Sequence, residues 1–359
     1  MLEGVDSELY RAIHRQPDAI RSIRARCGPD ARSAAELLAG CRRVFAVGTG
    51  TSGHAALVAS YLLREAGVEA YPATSFDFAN YPPRLGPEDG VLAISHSGTN
   101  RYGIRSIETA VAARTTIVGI TGLESPMAGP QVLLRTTPPE RSSTHTESYT
   151  GNLAAIAMVA VELGARCGRA LGTLPADLAS LPDHLADILR REEGISRTAD
   201  RLARSGRLVL AGGGPNGATA REGALKVKES SYLVSEGFDL ETILHGGLQP
   251  LRRDDVSVAI VVQGPACERA GDVLGTWRMI GTQTLLVADP ETARALDSPD
   301  DPARETFVVP RVAEALSPIT TVLPLQLLAA ATAHRRGTNA DSFRRDDPVF
   351  ARVNESYTF

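Results

Sequence analysis

The sequence has little lysine, and this scarcity is its most unusual compositional feature. Of 38 basic residues in a chain of 359, two are lysines, Lys226 and Lys228, and the others are arginines. A coding bias with chance spacing would leave such a pair. The alternative is that one or both positions need an ammonium, a compact point charge on a flexible stem that a planar guanidinium does not replace.

Cysteine is scarce as well. The four cysteines are far apart and form no CxxC pair (Cys27, Cys41, Cys167 and Cys267), which argues against a disulfide framework and against a zinc site. No window reaches about 18 uninterrupted apolar residues, so we expect no membrane span. The first residues lack the basic-then-apolar layout of a signal peptide. These absences predict a protein of the reducing cytoplasm.

A strong excess of charge of either sign is also missing. The formal net charge is −4, from 42 acidic and 38 basic residues, whereas a nucleic-acid-binding domain usually carries a basic face. We therefore expect no nucleic-acid partner. The length predicts about two domains, with enough chain to bury a sizeable core.

Short apolar strands alternate with helical stretches along the chain. The strand candidates of the first half are residues 43–48, 68–73, 90–95 and 115–121. The plan begins again at 207–217, where a strand again meets a glycine-rich turn, and continues with strand candidates at 257–263, 282–289 and 307–310. This alternation is typical of βαβ units and a parallel sheet. We predict an α/β protein with two similar, doubly wound halves, divided as follows: an N-terminal helical arm (1–40), a first domain (41–168), a helical connector (169–205), a second domain (206–336) and a polar, irregular tail (337–359).

Two turns rich in small polar residues follow strand candidates of the first half, at 48–53 and 95–100. In open α/β sheets, ligands bind beyond the carboxyl ends of strands, where backbone N–H groups and hydroxyls can hold an anion. The turns suit a phosphate with several sugar hydroxyls. The alternative is that these are ordinary turns in which a hydroxyl caps the next helix, and that His96 is only a polar loop residue. The candidate ligands are Gly50, Thr51, Ser52, Ser95, His96, Ser97 and Asn100.

Both lysines lie in a predicted helix of the second half. Glu222, Lys226 and Glu229 are spaced i, i+4 and i+7 and therefore share one face, whereas Lys228 lies off it. A solvent-exposed Glu–Lys ladder is the alternative, but the flanking residues are untypical of a solvated helix. His245 follows in an apolar, glycine-containing loop, where a packing role competes with acid–base chemistry beside a carboxylate.

At these residues the sequence resembles the SIS (sugar isomerase) domain family, and within it the isomerase half of glucosamine-6-phosphate synthase and related stand-alone deaminases. The resemblance covers nearly the whole chain and implies a flavodoxin-like, three-layer αβα fold for both halves. The most specific match is a long motif joined to a histidine at a fixed spacing. The similar stretches are Gly48–Ser52, Ser95–Gly98, Thr146–Thr150, and Glu222–Tyr232 with His245.

The resemblance implies a binding role for the first half. Ser95, Ser97 and neighbouring loop groups would bind the substrate phosphate. Thr51 and Ser52 would contact the sugar hydroxyls, and Thr146 is a further substrate-binding candidate. The expected partner is therefore a phosphorylated sugar or aminosugar.

The catalytic roles that it implies fall on the second half. Glu229 would be the base that moves a proton between C1 and C2 through an enediol or enediolamine. Glu222 and Lys226 would orient the base and the open-chain sugar. His245 would assist ring opening from a neighbouring subunit, so we expect a homodimer with a shared active site. No metal or organic cofactor is expected, because the sequence shows no cluster of metal-binding residues.

Departures from the family narrow the chemistry. We expect no glutaminase domain, since residue 2 is leucine and no such domain precedes the matched region. The synthase forms a Schiff base with a tail lysine, but no lysine follows Lys228 here, and arginine stays protonated and cannot form that imine. Asn100 replaces a threonine of the family's phosphate loop, and Glu147 replaces the lysine of its TKxxT stretch.

The sequence therefore predicts an enzyme that interconverts aldose and ketose forms of a phosphorylated sugar, with loss or addition of an amine. One alternative is a plain aldose–ketose phosphate isomerase. Others are a non-catalytic sugar-phosphate-binding regulator and an ammonia-using subunit that pairs with a separate glutaminase. The joint presence of Glu222, Lys226, Glu229 and His245 favours catalysis.

Overall fold

The computed structural model describes residues 2–357. It divides into two compact units, each with one β-sheet. The N-terminal sheet unit comprises Arg15–Glu140 and His145–Pro182, with residues 353–357. The C-terminal sheet unit comprises residues 2–14, with Arg141–Thr144 and Asp183–Arg352.

Five parallel strands form the sheet of the N-terminal sheet unit, in the order β2-β1-β3-β4-β5. Residues 44–47 and 91–94 of two inner strands are buried without alternation, because helices cover both faces of a parallel sheet. The strands are β1 (Arg43–Gly48), β2 (Glu69–Thr74), β3 (Asp89–Ser95), β4 (Thr116–Thr121) and β5 (Val132–Arg135).

The helices of this unit connect the strands and cover the sheet. Phe45, Phe78 and Ile107 belong to the apolar core between them. After α1 (Glu8–Arg26), the helices in chain order are α2 (Gly28–Ala39), α3 (Thr51–Glu65), α4 (Ser75–Asn80), α5 (Arg101–Ala112), α6 (Glu147–Arg166) and α7 (Leu174–Arg190).

The sheet of the C-terminal sheet unit also has five parallel strands, in the order β10-β9-β8-β6-β7. In each sheet the first strand in the chain lies between the second and the third, so the two orders are equivalent. The strands are β6 (Arg207–Gly212), β7 (Val234–Asp239), β8 (Val256–Val261), β9 (Gln283–Ala288) and β10 (Arg304–Val308).

Helices cover this second sheet in the same way, and the single tryptophan, Trp277, is fully buried in its core. The helices are α8 (Ser196–Ser205), α9 (Asn216–Ser231), α10 (Cys267–Ile280), α11 (Pro290–Ala295), α12 (Pro318–Arg336) and α13 (Pro348–Glu355). By length and composition the stretch Glu314–Arg336 could cross a membrane, but its apolar window is wholly buried inside the protein, as in a core helix of a globular domain.

The predicted fold class, two similar doubly wound α/β halves, is confirmed by the two sheets. The sequence analysis did not predict β5, β7, α4 or α11, which are short or polar elements. The tail, expected to be irregular, contains α13. The bounds of the five predicted segments, from the arm at 1–40 to the tail at 337–359, stay predictions.

Candidate functional site

The first group of predicted ligands meets at one edge of the N-terminal sheet unit. β1 pairs with β2 on one side and with β3 on the other. The connection after β1 leads to β2 on one side of β1, and the connection after β2 leads to β3 on the other side. Such a change of direction opens a crevice at the carboxyl ends of the strands, where open α/β sheets bind ligands. The turn after β1 and the turn after β3 lie side by side there, with all seven candidate ligands of the two turns.

The turn after β1 brings the backbone close to the start of α3. A Cβ on Gly48 would lie 2.3 Å from the Ser52 carbonyl oxygen, so only glycine fits. Gly50 has φ +57°, a left-handed conformation that glycine adopts without strain, and no atom lies within 4 Å of its missing Cβ. Thr51 and Ser52 are half-buried in the first turn of α3, and the N-terminus of a helix favours an anion.

The turn after β3 is held by its own hydroxyl groups. The Gly98 N–H donates to Ser95 Oγ (3.2 Å), and the Thr99 N–H and hydroxyl donate to Ser97 Oγ (3.3 and 3.0 Å). Gly98 has φ +68°, and a Cβ there would lie 2.0 Å from Ser125 Oγ. The loop is therefore fixed before any ligand arrives, which lowers the entropic cost of binding.

Asn100 begins helix α5 as its N-cap. Its side-chain oxygen accepts hydrogen bonds from the N–H groups of Tyr102 (3.1 Å) and Gly103 (2.9 Å), the usual task of asparagine at this position. The replacement of the family's threonine by Asn100 thus preserves the shape of the loop. A direct contact between Asn100 and the substrate stays a prediction.

His96 sits between the two serines of this loop and contacts a cluster that the sequence analysis missed. Its ring lies edge-on to that of His145, with 5.9 Å between the centroids. A Cβ on Gly122 would lie 2.8 Å from His96 Cε1, so Gly122 leaves the space that the ring fills. Burial lowers the pKa of His96 and the nearby Glu140 carboxylate opposes this, while His145 lowers it further.

Glu140 is the third member of this cluster. Its carboxylate accepts hydrogen bonds from the N–H groups of Thr146 (3.0 Å) and Ser148 (2.9 Å) and from the Ser148 hydroxyl (2.6 Å). Burial raises its pKa, but the charge of His145 and the hydrogen bonds from Ser148 outweigh burial and hold that pKa below its usual value. Glu140 therefore occupies the N-terminus of α6 as a carboxylate.

The burial and contacts of Thr146 and Glu147 bear on the expected role of the stretch that resembles the family's TKxxT motif. Thr146 is fully buried behind Glu140, so its predicted contact with the substrate stays a prediction that this placement does not favour. Glu147 is buried and accepts a hydrogen bond from Arg15 Nε at 2.9 Å. Burial raises the pKa of Glu147, and the Arg15 guanidinium opposes that rise. The acid that replaces the family's lysine is thus half of an ion pair.

The second group of predicted site residues lies on α9 in the C-terminal sheet unit. Lys226 Nζ lies 3.4 Å from Glu222 Oε1 and 2.6 Å from Glu229 Oε2. The side chains of Glu222 and Lys226 are 0% and 1% exposed, whereas that of Glu229 is 18% exposed. A solvated Glu–Lys ladder does not fit this burial. Lys228, in contrast, is exposed.

The burial of this face follows from how closely α9 approaches α12. A Cβ on Gly223 would lie 2.6 Å from Leu325 Cδ1 of α12, so the glycine next to Glu222 lets the two helices come together. Ser230 on α9 donates to the Ala329 carbonyl of α12 at 3.3 Å. The charged triad of α9 therefore lies on a rigid, covered helix rather than on a mobile surface.

His245 follows the short helical turn Thr242–Leu244 and is 71% exposed. The packing role considered above does not fit that exposure. His245 Nε2 lies 2.9 Å from Glu241 Oε1, and Glu241 Oε2 accepts from Arg269 Nε at 2.7 Å. These hydrogen bonds, first from Arg269 and then from His245, hold the pKa of Glu241 below its usual value. The imidazole is thus held in place at the surface of this unit.

Within residues 2–357, no group of three or more His, Cys, Asp or Glu side chains is placed to hold a metal ion.

Comparison with known proteins supports both halves of this description. The SIS domain family model matches residues 37–162 and 201–333. A curated relative, the glutamine–fructose-6-phosphate aminotransferase (isomerizing) of Gloeobacter violaceus, is 31% identical over 94% of this chain. The chain spans 57% of that relative's length.

Two solved structures share the fold. The C-terminal domain of glucosamine-fructose-6-phosphate aminotransferase from Francisella tularensis has a TM-score of 0.87 at 19% identity and covers 95% of this chain and 100% of its own. Glucosamine-6-phosphate deaminase from Thermotoga maritima has a TM-score of 0.74 at 18% identity and covers 93% and 97%. At these identities the likeness shows the architecture alone.

Proposed function

Since this chain belongs to the SIS domain family, we propose that it is an enzyme that moves a proton between C1 and C2 of a phosphorylated sugar or aminosugar. One observation carries the proposal: the ammonium of Lys226 contacts two carboxylates, and only one of them, Glu229, reaches solvent. A substrate carbon can approach Glu229, whereas Glu222 is enclosed.

Glu229 is the base in this proposal. The carboxylate takes the proton from one carbon of the open-chain sugar and returns it to the neighbouring carbon, so an enediol or enediolamine forms and decays without a cofactor. Lys226 fixes the position of this carboxylate through its 2.6 Å contact, and Glu222 balances the charge of Lys226 in the buried part of the helix. A fixed ammonium beside the base also suits the negative charge that develops on the sugar oxygen.

The first-half turns hold the phosphate in this proposal. The hydroxyl groups of Ser95 and Ser97 supply donors for the phosphate oxygens. Thr51 and Ser52, in the neighbouring turn, supply donors for sugar hydroxyls. A phosphate anchored away from the reacting carbons leaves C1 and C2 free to meet an acid–base pair, and the anchor positions them for proton transfer.

We further propose that the substrate loses an amine. In a 2-amino aldose phosphate, transfer of the C2 proton to C1 leaves a C2 imine, and water then converts the imine into a ketone and ammonia. Atoms balance with water as the only co-reactant. No protein imine is needed, and the tail beyond Lys228 holds no lysine to form one.

His245 would serve ring opening, and its exposure allows it to act on a substrate bound by a second copy of this chain. The expected assembly is therefore a homodimer, with a phosphorylated sugar as its small-molecule partner. The four cysteines are free thiols, which fits the cytoplasmic location that we propose.

A plain aldose–ketose phosphate isomerase is the second candidate. The same base and phosphate turns suffice for it, and the absence of a tail lysine favours it over a synthase. The two candidates differ in one product, because only the first releases ammonia.

A ligand screen tests the proposal and separates the candidates. The thermal unfolding temperature is measured with sugar phosphates, aminosugar phosphates and the same sugars without phosphate, and each stabilising compound is then assayed for ketose and ammonia. We expect phosphorylated compounds to stabilise the protein and one of them to be turned over. Equal stabilisation by unphosphorylated sugars would contradict the proposed phosphate site. Turnover without release of ammonia would favour the plain aldose–ketose phosphate isomerase.

A further inference from the structure

The turn after β3, residues 95–100, is the phosphate turn of the proposed function, and it begins in a row of three residues at the carboxyl edge of its sheet. Ser95 is in register with Thr121 of β4, which is in register with Arg135, the last residue of β5. Neighbouring strands are about 4.8 Å apart, so the Cα atoms of Ser95 and Arg135 are about 10 Å apart. Directly paired residues project from the same face of a sheet. The Arg135 side chain therefore lies on the face to which Ser95 points.

The guanidinium of Arg135 holds the loop that follows β4, residues 122–125, which we call the bracing loop. Its Nη1 donates hydrogen bonds to the carbonyl oxygens of Ser125 (2.8 Å), Leu123 (3.2 Å) and Gly122 (3.4 Å). The bracing loop keeps its course because these carbonyl groups converge on a single charged side chain.

The bracing loop in turn positions the phosphate turn. The Gly122 N–H donates to the His96 carbonyl at 2.9 Å. Ser125 packs so closely against Gly98 that a Cβ on this glycine would clash with the Ser125 hydroxyl. One series of contacts therefore runs from Arg135 through the bracing loop to the backbone of the phosphate turn.

The charge of Arg135 is not neutralised by a carboxylate. Among residues 2–357 the partners of its half-buried guanidinium are carbonyl oxygens, and no Asp or Glu side chain forms an ion pair with it. Glu124 in the bracing loop is exposed, and Glu140 accepts hydrogen bonds from the N–H groups of α6. Buried charges are normally paired with an opposite charge, and carbonyl dipoles supply only part of that compensation. The charge of Arg135 is therefore available to an anion at the phosphate turn.

A second guanidinium lies at the other end of the phosphate turn. Arg101 follows the turn directly, is exposed, and lies over the Tyr102 ring, with 5.6 Å between its Cζ and the ring centroid. Salt screens an exposed charge strongly and a partly buried charge much less. Hydrogen bonds also fix the position of the Arg135 guanidinium. Of the two guanidinium groups, that of Arg135 therefore makes the more constant contribution to the potential at the turn.

We propose that Arg135 is a positioning residue of the phosphate site, which fixes the phosphate turn through the bracing loop and keeps a permanent positive charge behind it. The inference rests on the proposed function in one respect, namely that this turn holds a phosphate.

Both parts of this role favour a charged ligand. A turn that is fixed in advance lowers the entropic cost of binding. A phosphate monoester carries up to two negative charges near neutral pH, and a guanidinium stays protonated in proteins. The site therefore favours phosphate monoesters over neutral sugars without help from a titrating group.

The experiment is calorimetric titration of the full chain with sulfate, a dianion whose charge does not change near neutral pH. Arg135→Gln keeps an N–H donor for the bracing loop but removes the charge, whereas Arg135→Lys keeps the charge. Arg169→Gln is the matched control, because Arg169 is an exposed guanidinium of the same unit that packs against Gly67, just before β2 and thus at the amino edge of the sheet. Thermal unfolding of each variant without sulfate measures any loss of stability separately.

We expect Arg135→Gln to bind sulfate roughly tenfold more weakly than the wild type, because it lacks the charge that attracts the anion. Arg135→Lys should recover most of this affinity, even if both variants unfold at the same lowered temperature, and a purely structural role would not give such a rescue. Arg169→Gln should bind sulfate as the wild type does.

Wild-type sulfate affinity in Arg135→Gln would overturn the inference, as would an Arg135→Lys variant that binds sulfate no more tightly than Arg135→Gln. Failure of both sulfate and sugar phosphates to bind the wild type would overturn the phosphate turn and, with it, the proposed function.

Discussion

The Nζ atom of Lys226 lies 2.6 Å from Glu229 Oε2 and is enclosed on a helix face where its own side chain is 1% exposed. A compact ammonium fits between two carboxylates there, and its pairing with Glu222 at 3.4 Å leaves Glu229 with the more open position. A guanidinium is planar and bulkier and cannot take the same place without moving one of the carboxylates.

The two lysines should therefore respond differently to the same substitution. In Lys226→Arg the larger head group displaces Glu229, and a shift of about 1 Å in a reacting group can cost roughly 100-fold in turnover. Lys228→Arg is the matched control, because Lys228 is exposed, and we expect its turnover to stay close to wild type. Steady-state kinetics of the two variants side by side check this. Equal activity of the two variants would mean that coding bias is enough to explain the scarcity of lysine.

Gly98→Ala should disrupt the phosphate turn. The alanine would need φ near +68° and would place its Cβ 2.0 Å from Ser125 Oγ, and a strained residue of this kind costs about 1–3 kcal/mol. We expect lower stability in urea unfolding and a loss of sulfate binding. Gly103→Ala is the control: its Cβ would lie 3.6 Å from Asn100 Cβ in a helix, where alanine is favoured by up to about 1 kcal/mol. Retained sulfate affinity in Gly98→Ala would show that the turn is not the anion site.

A histidine of the C-terminal sheet unit makes stability depend on pH. His14 Nε2 lies 3.1 Å from Glu192 Oε2, and the hydrogen bond to Glu192 raises the pKa of His14 despite its partial burial. Since the folded pKa is raised, the stabilisation is fully present below the unfolded value of about 6.5 and is lost as the pH rises through the higher folded value.

We therefore expect His14→Gln to lower the free energy of unfolding more at about pH 5.5 than at about pH 8.5. Glu192 stays ionised over this range, because hydrogen bonds from His14 and Tyr10 outweigh its burial and hold its pKa below the usual value. Urea unfolding at several pH values measures the difference, with His184→Gln as a control for loss of a histidine elsewhere. A larger loss at high pH would have the wrong sign for this ion pair.

The sequence alone was enough to predict the elements whose apolar or charged residues follow a regular pattern. The apolar runs predicted the buried strands β1, β3, β4, β6, β8 and β9, and the spacing of Glu222, Lys226 and Glu229 placed them on one face of α9. The edge strand β7 is different, since part of its surface is solvated. β7, with the sequence VSEGFD, pairs with β6 alone. Its polar residues interrupt the apolar run from which a strand would be predicted.

Tertiary placement accounts for what the sequence did not show at the site. Glu140 and His145 come from the segment between β5 and α6, and only the folded chain brings them beside His96. Asn100 and Thr146 match positions of a binding motif, but in the fold one caps a helix and the other is buried behind Glu140. A motif match identifies a position, whereas the surrounding packing decides which atoms remain available to a ligand.

The role of Glu229 is tested most directly by the turnover of Glu229→Gln on the substrate that the ligand screen identifies, with Glu236→Gln, an exposed carboxylate on β7, as the matched control. Glutamine preserves shape and hydrogen bonding but cannot accept the carbon-bound proton. We expect turnover to fall by roughly 100-fold to 10,000-fold in Glu229→Gln, with stabilisation by the sugar phosphate retained, while Glu236→Gln keeps wild-type turnover. Full turnover in Glu229→Gln would contradict the assignment of Glu229 as the base.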